Sequence, residues 1–412
     1  MSITETEQAK GLLNAAAVRE RAHEMLAIGV ADGLEHWRVD LDRLPETAAY
    51  VAAVIRDQYP TLAVPFHARW RHFAIDGQDF WGPVAEARMW PDAANRARTE
   101  FDLAIVSVLL DAGSGPGWSY RDGRTGAVLT RSEGLAIASL RMFQAGLFSI
   151  TPRDPWRVDA EALLDLTTER LAEGFQVTEA NPLAGLEGRA ALLHRLGQQC
   201  LARADLFATT DGPRPGGLAD VLLTRADDGR LPAPAILELL LEALGPVWQD
   251  RLTLGGVDLG DCWRHPAMKR ADATDGLVPI HKLSQWLSYS LVEPLQTAGL
   301  RVTDLDGLTG LAEYRNGGLF MDLGVLTLKD PADAAKAWPV ADPLVVGWRS
   351  MTVALLDRIA PLVRAELGVT AEAMPLASVL EGGTWAAGRR AAAERRPGGG
   401  PPLTILSDGT VF

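Results

Sequence analysis

Long stretches that mix apolar and polar helix-forming residues alternate along this chain with short segments rich in Gly, Pro and Asp. Such stretches predict α-helices, and the Gly- and Pro-rich segments predict helix ends and loops. Asp159 is the expected N-cap of one of these helices, the one over residues 160–173. The helices are expected at residues 7–30, 93–110, 131–145, 160–173, 186–204, 233–244, 281–293, 343–366 and 384–395.

Strand-like segments are few and short, at residues 62–66, 72–75 and 403–406. They do not alternate regularly with helices, and no segment repeats, so the pattern predicts a mainly α-helical globule with a few short strands. Asp, Gly and Pro cluster at residues 205–232, which makes this segment the best candidate for a hinge. We therefore expect an N-terminal helical part at 1–210 and a C-terminal helical part at 211–412, packed as one compact unit.

The composition excludes several classes of protein. The chain has 412 residues, and 40 Lys and Arg against 53 Asp and Glu give a formal net charge of −13. An acidic chain of this size disfavours non-specific binding to nucleic acid or to an anionic membrane, because both attract positive charge. No apolar stretch is long enough to span a membrane, and the first residues do not resemble a secretory signal. Two cysteines, Cys200 and Cys262, exclude a disulfide framework, so we expect reduced thiols in a cytoplasmic protein.

Three kinds of site can be considered from local motifs: a methyltransferase loop, a phosphoribosyltransferase loop and a metal site. In each case the sequence lacks part of the motif or its structural context. The glycine-rich loop at 111–117 follows an apolar run, as in S-adenosylmethionine methyltransferases, but the preceding residues predict a helix and not a strand. No hydrophobic strand with two adjacent acids precedes a phosphate loop, as a phosphoribosyltransferase would require. His67, His72, His265 and His281 form no HExxH or HxH motif, so we expect no metal and no other cofactor.

Polar side chains cluster with glycine and aromatic residues in a few segments. Glu313 precedes Tyr314, Arg315 and an Asn-Gly-Gly turn, and the apolar residues before it could partly desolvate its carboxyl and raise its pKa. His281 and Gln285 are four residues apart and so share a helix face, with Lys282 at its flank. Cations at a helix start favour an anionic partner there. Arg131 and Ser132 repeat this pattern at another predicted helix start.

Four segments carry a resemblance to a known family: TRSEGLA, PIHKLSQWLSYSL, LTGLAEYRNGGLFMDLGVL and RRPGGGPPLTILSDGTVF. Together they resemble the uracil-catabolism family of fungi and bacteria, over essentially the whole chain. The resemblance implies an enzyme of a pathway that converts uracil to a nucleotide, opens its ring and frees urea. The stretch from Glu313-Tyr-Arg to Gly324-Val-Leu is also similar to the DYR…GVL segment of the queuosine nucleotide N-glycosylases, with Glu in place of Asp. That similarity implies a helical fold like that of DNA glycosylases.

The sequence therefore leads to the hypothesis of an N-ribosidase that cleaves the N-glycosidic bond of a ring-opened, ribosylurea-like uracil nucleotide. The expected binding partner of this enzyme is its substrate, a small nucleotide or nucleoside. Uracil phosphoribosyltransferase, methyltransferase and non-catalytic nucleotide-binding protein remain alternatives. Glu313 is the expected catalytic carboxylate, Asp322 or Asp102 the second acid, and His281, Gln285 or Asn316 the group that assists the leaving nitrogen. Other substrate contacts are expected from Arg131, Ser132, Lys282, Arg315 and Tyr314, with Trp118, Tyr120 and Trp286 as pocket walls.

Overall fold

A computed structural model describes residues 4–248 and 250–406 of the chain, and most of these residues are helical. The α-helices are α1 Glu5–Lys10, α2 Ala15–Val30, α3 Leu44–Gln58, α4 Gly82–Ala87, α5 Ala93–Leu109, α6 Arg131–Gln144, α7 Ala160–Leu164, α8 Thr168–Gly174, α9 Leu186–Ala202, α10 Ala204–Phe207, α11 Gly217–Arg225, α12 Ala233–Leu244, α13 Lys282–Thr297, α14 Tyr314–Asp322, α15 Pro343–Leu367, α16 Leu376–Ser378 and α17 Ala386–Arg395. A π-helical turn, Val379–Trp385, lies between α16 and α17.

The described strands have two or three residues each and pair in twos. They are β1 Trp37–Val39, β2 Ala74–Ile75, β3 Gln78–Asp79, β4 Tyr120–Arg121, β5 Val128–Leu129, β6 Arg230–Pro232, β7 Thr253–Leu254, β8 Val257–Asp258, β9 Cys262–Arg264, β10 Leu277–Pro279, β11 Arg301–Thr303, β12 Leu326–Leu328, β13 Ala337–Pro339 and β14 Thr404–Leu406. The pairs β6–β11 and β13–β14 are parallel, and the pairs β1–β12, β2–β3, β4–β5, β7–β8 and β9–β10 are antiparallel.

The described chain folds into two compact units, each assembled from separate stretches. Unit 1 contains residues 4–67, 250–285 and 304–406, and unit 2 contains residues 68–248 and 286–303. The division into parts 1–210 and 211–412 stays a prediction.

The core of unit 1 is built around α15, which packs against α2 and α3. Asp342 caps this helix by accepting a hydrogen bond from the Leu344 backbone N–H, and Pro343 occupies its first turn. The helix ends at Gly368, whose φ of +70° lies in the left-handed region that favours glycine. Beside this core, α14 packs against α17, and α3 packs against the π-helical turn.

Unit 2 is organised around α5 and α9. Asp92 caps α5 by accepting a hydrogen bond of 2.6 Å from the Asn95 backbone N–H, and the apolar second half of the helix is buried. This helix packs against α6 and α11, whereas α9 packs against α7 and α12.

Most predicted helices are confirmed, several within one or two residues of their ends. The helix predicted over 7–30 is divided into α1 and α2, because Asn14 provides a second N-cap. The helix predicted over 160–173 is divided into α7 and α8, because Thr167 provides a second N-cap. Asp159 precedes α7 but makes no cap bond, since its carboxylate accepts hydrogen bonds from Arg157 and the Ile150 backbone instead. The strand predicted at 62–66 is wrong, whereas β14 lies within the one predicted at 403–406.

The glycine-rich loop at 111–117 follows the C-terminus of α5, as its context predicted, and therefore lacks the strand of a methyltransferase motif. Over the described ranges, no helix has the length and apolar character that a membrane crossing requires.

Candidate functional site

Glu313 is the N-cap of α14 in unit 1. Its two carboxylate oxygens accept hydrogen bonds of 2.6 Å from the backbone N–H groups of Arg315 and Asn316. The residue is 9% exposed, and burial raises the pKa of its carboxyl. The two backbone N–H groups, Lys282 and His67 oppose this shift by favouring the charged form. Glu313 is therefore a buried carboxyl with a raised pKa that interacts electrostatically with a cation, which are properties of a general base.

A largely buried pair of an acid and a base, Glu381 and His67, lies in the same unit. His67 Nδ1 is 2.5 Å from Glu381 Oε2, and both side chains are largely buried. Glu381 belongs to the π-helical turn, a local irregularity that often occurs at functional sites. The ring of Trp385, at the end of that turn, lies 5.5 Å from the His67 ring. The electrostatic interaction of His67 with Glu313 connects this pair to the candidate base.

The π-helical turn borders a cleft of about 590 Å³ in unit 1. Its volume is in the range of small-molecule binding sites. Glu381 lines the cleft, so one member of the acid–base pair faces a space that a ligand can enter. The lining residues are Val54, Asp57, Gln58, Glu381, Trp385, Ala386, Arg389, Arg390 and Ala393.

An ion pair fixes the start of α13, where three predicted site residues lie. Both oxygens of Asp261 accept hydrogen bonds of 2.8 Å from the Arg349 guanidinium. Burial alone would raise the pKa of Asp261, but Arg349 and further donors hold it well below its usual range. The same carboxylate accepts a hydrogen bond of 2.9 Å from the Lys282 backbone N–H. Asp261 and Arg349 therefore position Lys282, although no local sequence pattern singles out either residue.

His281 does not match the acid role proposed for it from the sequence. Its backbone has a φ of +50°, and its Nε2 atom lies 3.0 Å from the Leu12 carbonyl oxygen. Burial lowers the pKa of His281, which favours the neutral ring. A neutral imidazole that donates from Nε2 to a carbonyl carries no second proton for a leaving group.

Two buried amide side chains of unit 1 have polar atoms without a hydrogen-bond partner among the described residues. Gln285 Oε1 accepts a 3.3 Å hydrogen bond from the Thr309 backbone, which leaves its Nε2 donor unpaired. Asn316 Nδ2 donates to the Leu311 carbonyl oxygen at 3.1 Å, which leaves its Oδ1 acceptor unpaired. A buried polar atom without a hydrogen bond costs free energy. The Gln285 Nε2 donor and the Asn316 Oδ1 acceptor are therefore suited to bind a polar ligand or water.

Other predicted residues of unit 1 hold the segment that follows α17. Asp322 forms an ion pair with Arg396, with distances of 2.6 and 2.7 Å to its two guanidinium nitrogens. The Arg315 guanidinium donates to the Gly399 carbonyl oxygen at 2.7 Å and lies 4.8 Å from the centre of the Tyr314 ring. These contacts give Asp322 and Arg315 a structural role.

Asp102 lies in unit 2 and is completely buried. It accepts hydrogen bonds from the Arg214 guanidinium, from the Val158 backbone at 2.9 Å and from the Gly216 backbone at 2.6 Å. Burial raises the pKa of Asp102, and these donors oppose the shift. Four N–H donors, two of them from Arg214, converge on this carboxylate, which is the pattern of a structural centre that joins separate chain segments.

Unit 2 also contains a polar cluster around the predicted residue Ser132. The Ser132 hydroxyl donates to the Asp111 carboxylate, at 2.7 and 2.6 Å from its two oxygens. Asp111 also forms a 2.7 Å ion pair with Arg69, which is completely buried. The Arg69 guanidinium lies 5.5 Å from the ring centre of Trp286. Arg131 precedes Ser132 at the start of α6 with a φ of +56°.

The remaining aromatic predictions lie in unit 2 as well. Trp118 donates from its indole N–H to the Phe175 carbonyl oxygen at 3.0 Å. Tyr120 is in β4, and burial raises the pKa of its hydroxyl. Both side chains are buried in this unit, which fits a role in its core.

Sequence reasoning did not select Glu381, Trp385, Arg389 or Arg69 as site residues, and it treated His67 as one of several isolated histidines. The available signals were local: two glycines before Trp385, and a Trp between arginines after His67. Within residues 4–248 and 250–406, no group of three or more His, Cys, Asp or Glu side chains is arranged to hold a metal ion.

Comparison with known proteins gives three nearly full-length matches. Residues 11–412 match the family described as "Protein of unknown function (DUF1688)". The chain is 39% identical to Protein urg3 of Schizosaccharomyces pombe over 419 aligned residues, covering 99% of this chain and 100% of that protein. It is 35% identical to Uracil catabolism protein 4 of Lachancea kluyveri over 415 aligned residues, covering 92% of each. The resemblance to the uracil-catabolism family is thereby confirmed.

Proposed function

Since this chain belongs to the DUF1688 family, one relative of which is named a uracil catabolism protein, we propose that it is an N-ribosidase of uracil catabolism. It hydrolyses the N-glycosidic bond of a ring-opened uracil nucleotide such as ribosylurea 5′-phosphate. The products are urea, or a ureido acid, and ribose phosphate. The observation that carries this proposal is the buried carboxyl of Glu313, which has a raised pKa and interacts electrostatically with Lys282 and His67.

The reaction requires a carboxylate beside the anomeric carbon. As the bond from C1′ to nitrogen breaks, positive charge develops on the ribose ring, and a nearby carboxylate stabilises it. The oxygen of a water molecule then bonds to C1′, and its proton passes to the carboxylate. The backbone donors at the start of α14 hold Glu313 in one orientation, so little reorganisation is needed during the reaction.

The leaving nitrogen must gain a proton, because urea is a poor leaving group as an anion. We assign this step to the pair formed by His67 and Glu381, in place of His281. The unpaired Asn316 Oδ1 would accept an N–H of the ureido group, and Gln285 Nε2 would donate to its carbonyl oxygen. In this proposal one proton leaves the pair as one proton reaches Glu313, so the charge of the site is conserved.

The test is urea release from ribosylurea 5′-phosphate, measured with a coupled urease assay. Glu313→Gln keeps the side-chain shape and one acceptor for the helix cap, so the protein should fold. Loss of the carboxylate should reduce kcat by about a hundredfold or more, the usual effect of removing one transition-state interaction. Asp322→Asn is the matched control, because Asp322 is paired with Arg396 at the other end of α14, and its turnover should stay near wild type.

Wild-type turnover by Glu313→Gln would contradict the assignment. Pyrophosphate release from uracil and phosphoribosyl pyrophosphate would support a phosphoribosyltransferase instead.

A further inference from the structure

We propose that the cleft between α3 and α17 is a subsite for the phosphorylated sugar, with Arg389 and Arg390 binding its phosphate. The inference deepens the proposed function and rests on it for the identity of the sugar. The binding chemistry itself is argued from the residues that line the cleft.

The shape of the cleft suits a sugar. Ala386 and Ala393 are seven residues apart on α17, so they lie on one face of the helix and leave space beside it. The indole of Trp385 provides a flat apolar surface, against which the C–H groups of a sugar ring can pack. Val54 adds apolar surface from α3.

The charges of the cleft suit a ligand with both a phosphate and hydroxyl groups. Arg389 and Arg390 are consecutive on α17, and the Arg389 guanidinium lies 4.9 Å from the centre of the Trp385 ring. Guanidinium groups bind phosphate oxygens through two parallel hydrogen bonds. The carboxylates of Asp57 and Glu381 also line the cleft and can accept hydrogen bonds from sugar hydroxyl groups.

The ion pair between Arg390 and Asp57 does not block this role. Its atoms are 2.8 Å apart, but the two side chains are 47% and 59% exposed. An ion pair with this exposure contributes little to stability, so phosphate can replace the Asp57 carboxylate on Arg390 at little cost. Asp57 is then available to a hydroxyl group.

The cleft also extends from the arginines to Glu381, a member of the proposed acid–base pair. Glu381 and Arg389 are eight residues apart along the helical segment, which corresponds to a rise of about 12 Å or less. A sugar with its phosphate on Arg389 therefore has its other end near Glu381 and its partner His67. This arrangement makes the cleft part of the same site and identifies the 5′-phosphorylated substrate as the preferred one.

The experiment measures binding of the product ribose 5-phosphate, which needs no turnover. Titration calorimetry gives the dissociation constants of ribose 5-phosphate, ribose and inorganic phosphate. Protein labelled with 5-fluorotryptophan gives one fluorine NMR resonance for each tryptophan. The resonance that is missing from the spectrum of Trp385→Phe belongs to Trp385, and a change in its chemical shift reports binding in this cleft. The test variant is Arg389→Gln/Arg390→Gln. The control is Arg395→Gln, on the same helix but outside the cleft lining, with circular dichroism to confirm folding.

We expect the double variant to bind ribose 5-phosphate at least tenfold more weakly, and Arg395→Gln to bind it within twofold of wild type. Inorganic phosphate should compete with ribose 5-phosphate, and the double variant should bind ribose no more weakly than wild type does. An unchanged affinity in the double variant, an equal loss in Arg395→Gln, or binding that leaves the Trp385 resonance unmoved would each overturn the proposal.

The same measurements separate the two proposals. If ribose 5-phosphate binds as expected but no urea is released from ribosylurea 5′-phosphate, the N-ribosidase assignment fails and the cleft assignment stands. If the double variant releases urea with wild-type kcat/KM, the cleft assignment fails alone.

Discussion

The buried ion pair between Asp261 and Arg349 allows a sharp test of how unit 1 is held together. The two residues are 8% and 1% exposed, and two hydrogen bonds of 2.8 Å join their side chains. Asp261 also accepts from the Trp263 indole at 2.6 Å and from the Lys282 backbone. Replacing Asp261 with Ala removes all of these acceptors and leaves a buried guanidinium without its counter-charge.

The expected loss in the free energy of unfolding is about 3–5 kcal/mol, the usual cost of removing one partner of a buried pair. Because small domains have about 5–15 kcal/mol of total stability, this loss is a large fraction of it. The pair between Arg390 and Asp57 is a matched control, with the same residue types and the same distance of 2.8 Å but with exposed side chains. Asp57→Ala should cost at most about 1 kcal/mol.

The assay is urea denaturation followed by circular dichroism, for Asp261→Ala, Arg349→Met and the double variant. The double variant should lose less stability than the sum of the two single variants, because it contains no unpaired buried charge. Equal losses for Asp261→Ala and Asp57→Ala, or strictly additive losses in the cycle, would refute the reasoning.

The pH dependence of the Asp261 variant provides a further check. The pKa of Asp261 is lower in the folded protein than its ordinary value of 3.8. The unfolded state therefore binds the proton first as the pH falls, so the stabilisation is present above pH 4 and is lost below it. The difference between wild type and Asp261→Ala should accordingly be constant from pH 5 to 8 and shrink at lower pH.

Two further substitutions test packing and titration in unit 1, and a third, in unit 2, is a packing control. At Gly388 an added Cβ would lie 2.2 Å from the Arg315 carbonyl oxygen, so Gly388→Ala should destabilise the protein by about 1–3 kcal/mol in thermal unfolding. Gly123→Ala, with no neighbour within 4 Å of the added Cβ, should change stability by less than about 1 kcal/mol. Burial lowers the pKa of His265 from 6.5 to about 4, so the unfolded state binds a proton before the folded state as the pH falls. Stability should therefore decrease by up to about 3 kcal/mol from pH 6.5 to 4, and His265→Gln should reduce this decrease in denaturant melts at several pH values. A decrease of the same size in His265→Gln would contradict the burial argument.

The helices were predictable because the signals that define them are local. The helix predicted at 233–244 has the observed bounds of α12, which begins at Ala233, beside Pro234, and ends at Leu244, before Gly245. The split at Thr167 shows the limit of such signals, since a second N-cap within a helix-forming stretch is easily overlooked. The short strands were harder, because their pairing joins residues that are distant along the chain, as in β1 with β12.

The candidate site was predictable only in part. Glu313 was selected because apolar residues precede it and a glycine turn follows, and its burial in the structure, which raises the pKa of its carboxyl, agrees with that reasoning. The second acid was not predictable, since each candidate, Asp322 or Asp102, is paired with an arginine that is distant along the chain. Nor does any local pattern place His67 beside Glu381, which follows it by 314 residues.

By itself, the sequence determined the helical class, the positions of most helices and the family, because these depend on residue types within a few turns of one another. The tertiary structure alone decided which carboxyls pair with arginines and which histidines face an acid. It also decided which helix face borders a cleft. The physical reason is that desolvation and charge pairing act through space, so the chemical state of a side chain depends on neighbours whose position along the chain is arbitrary.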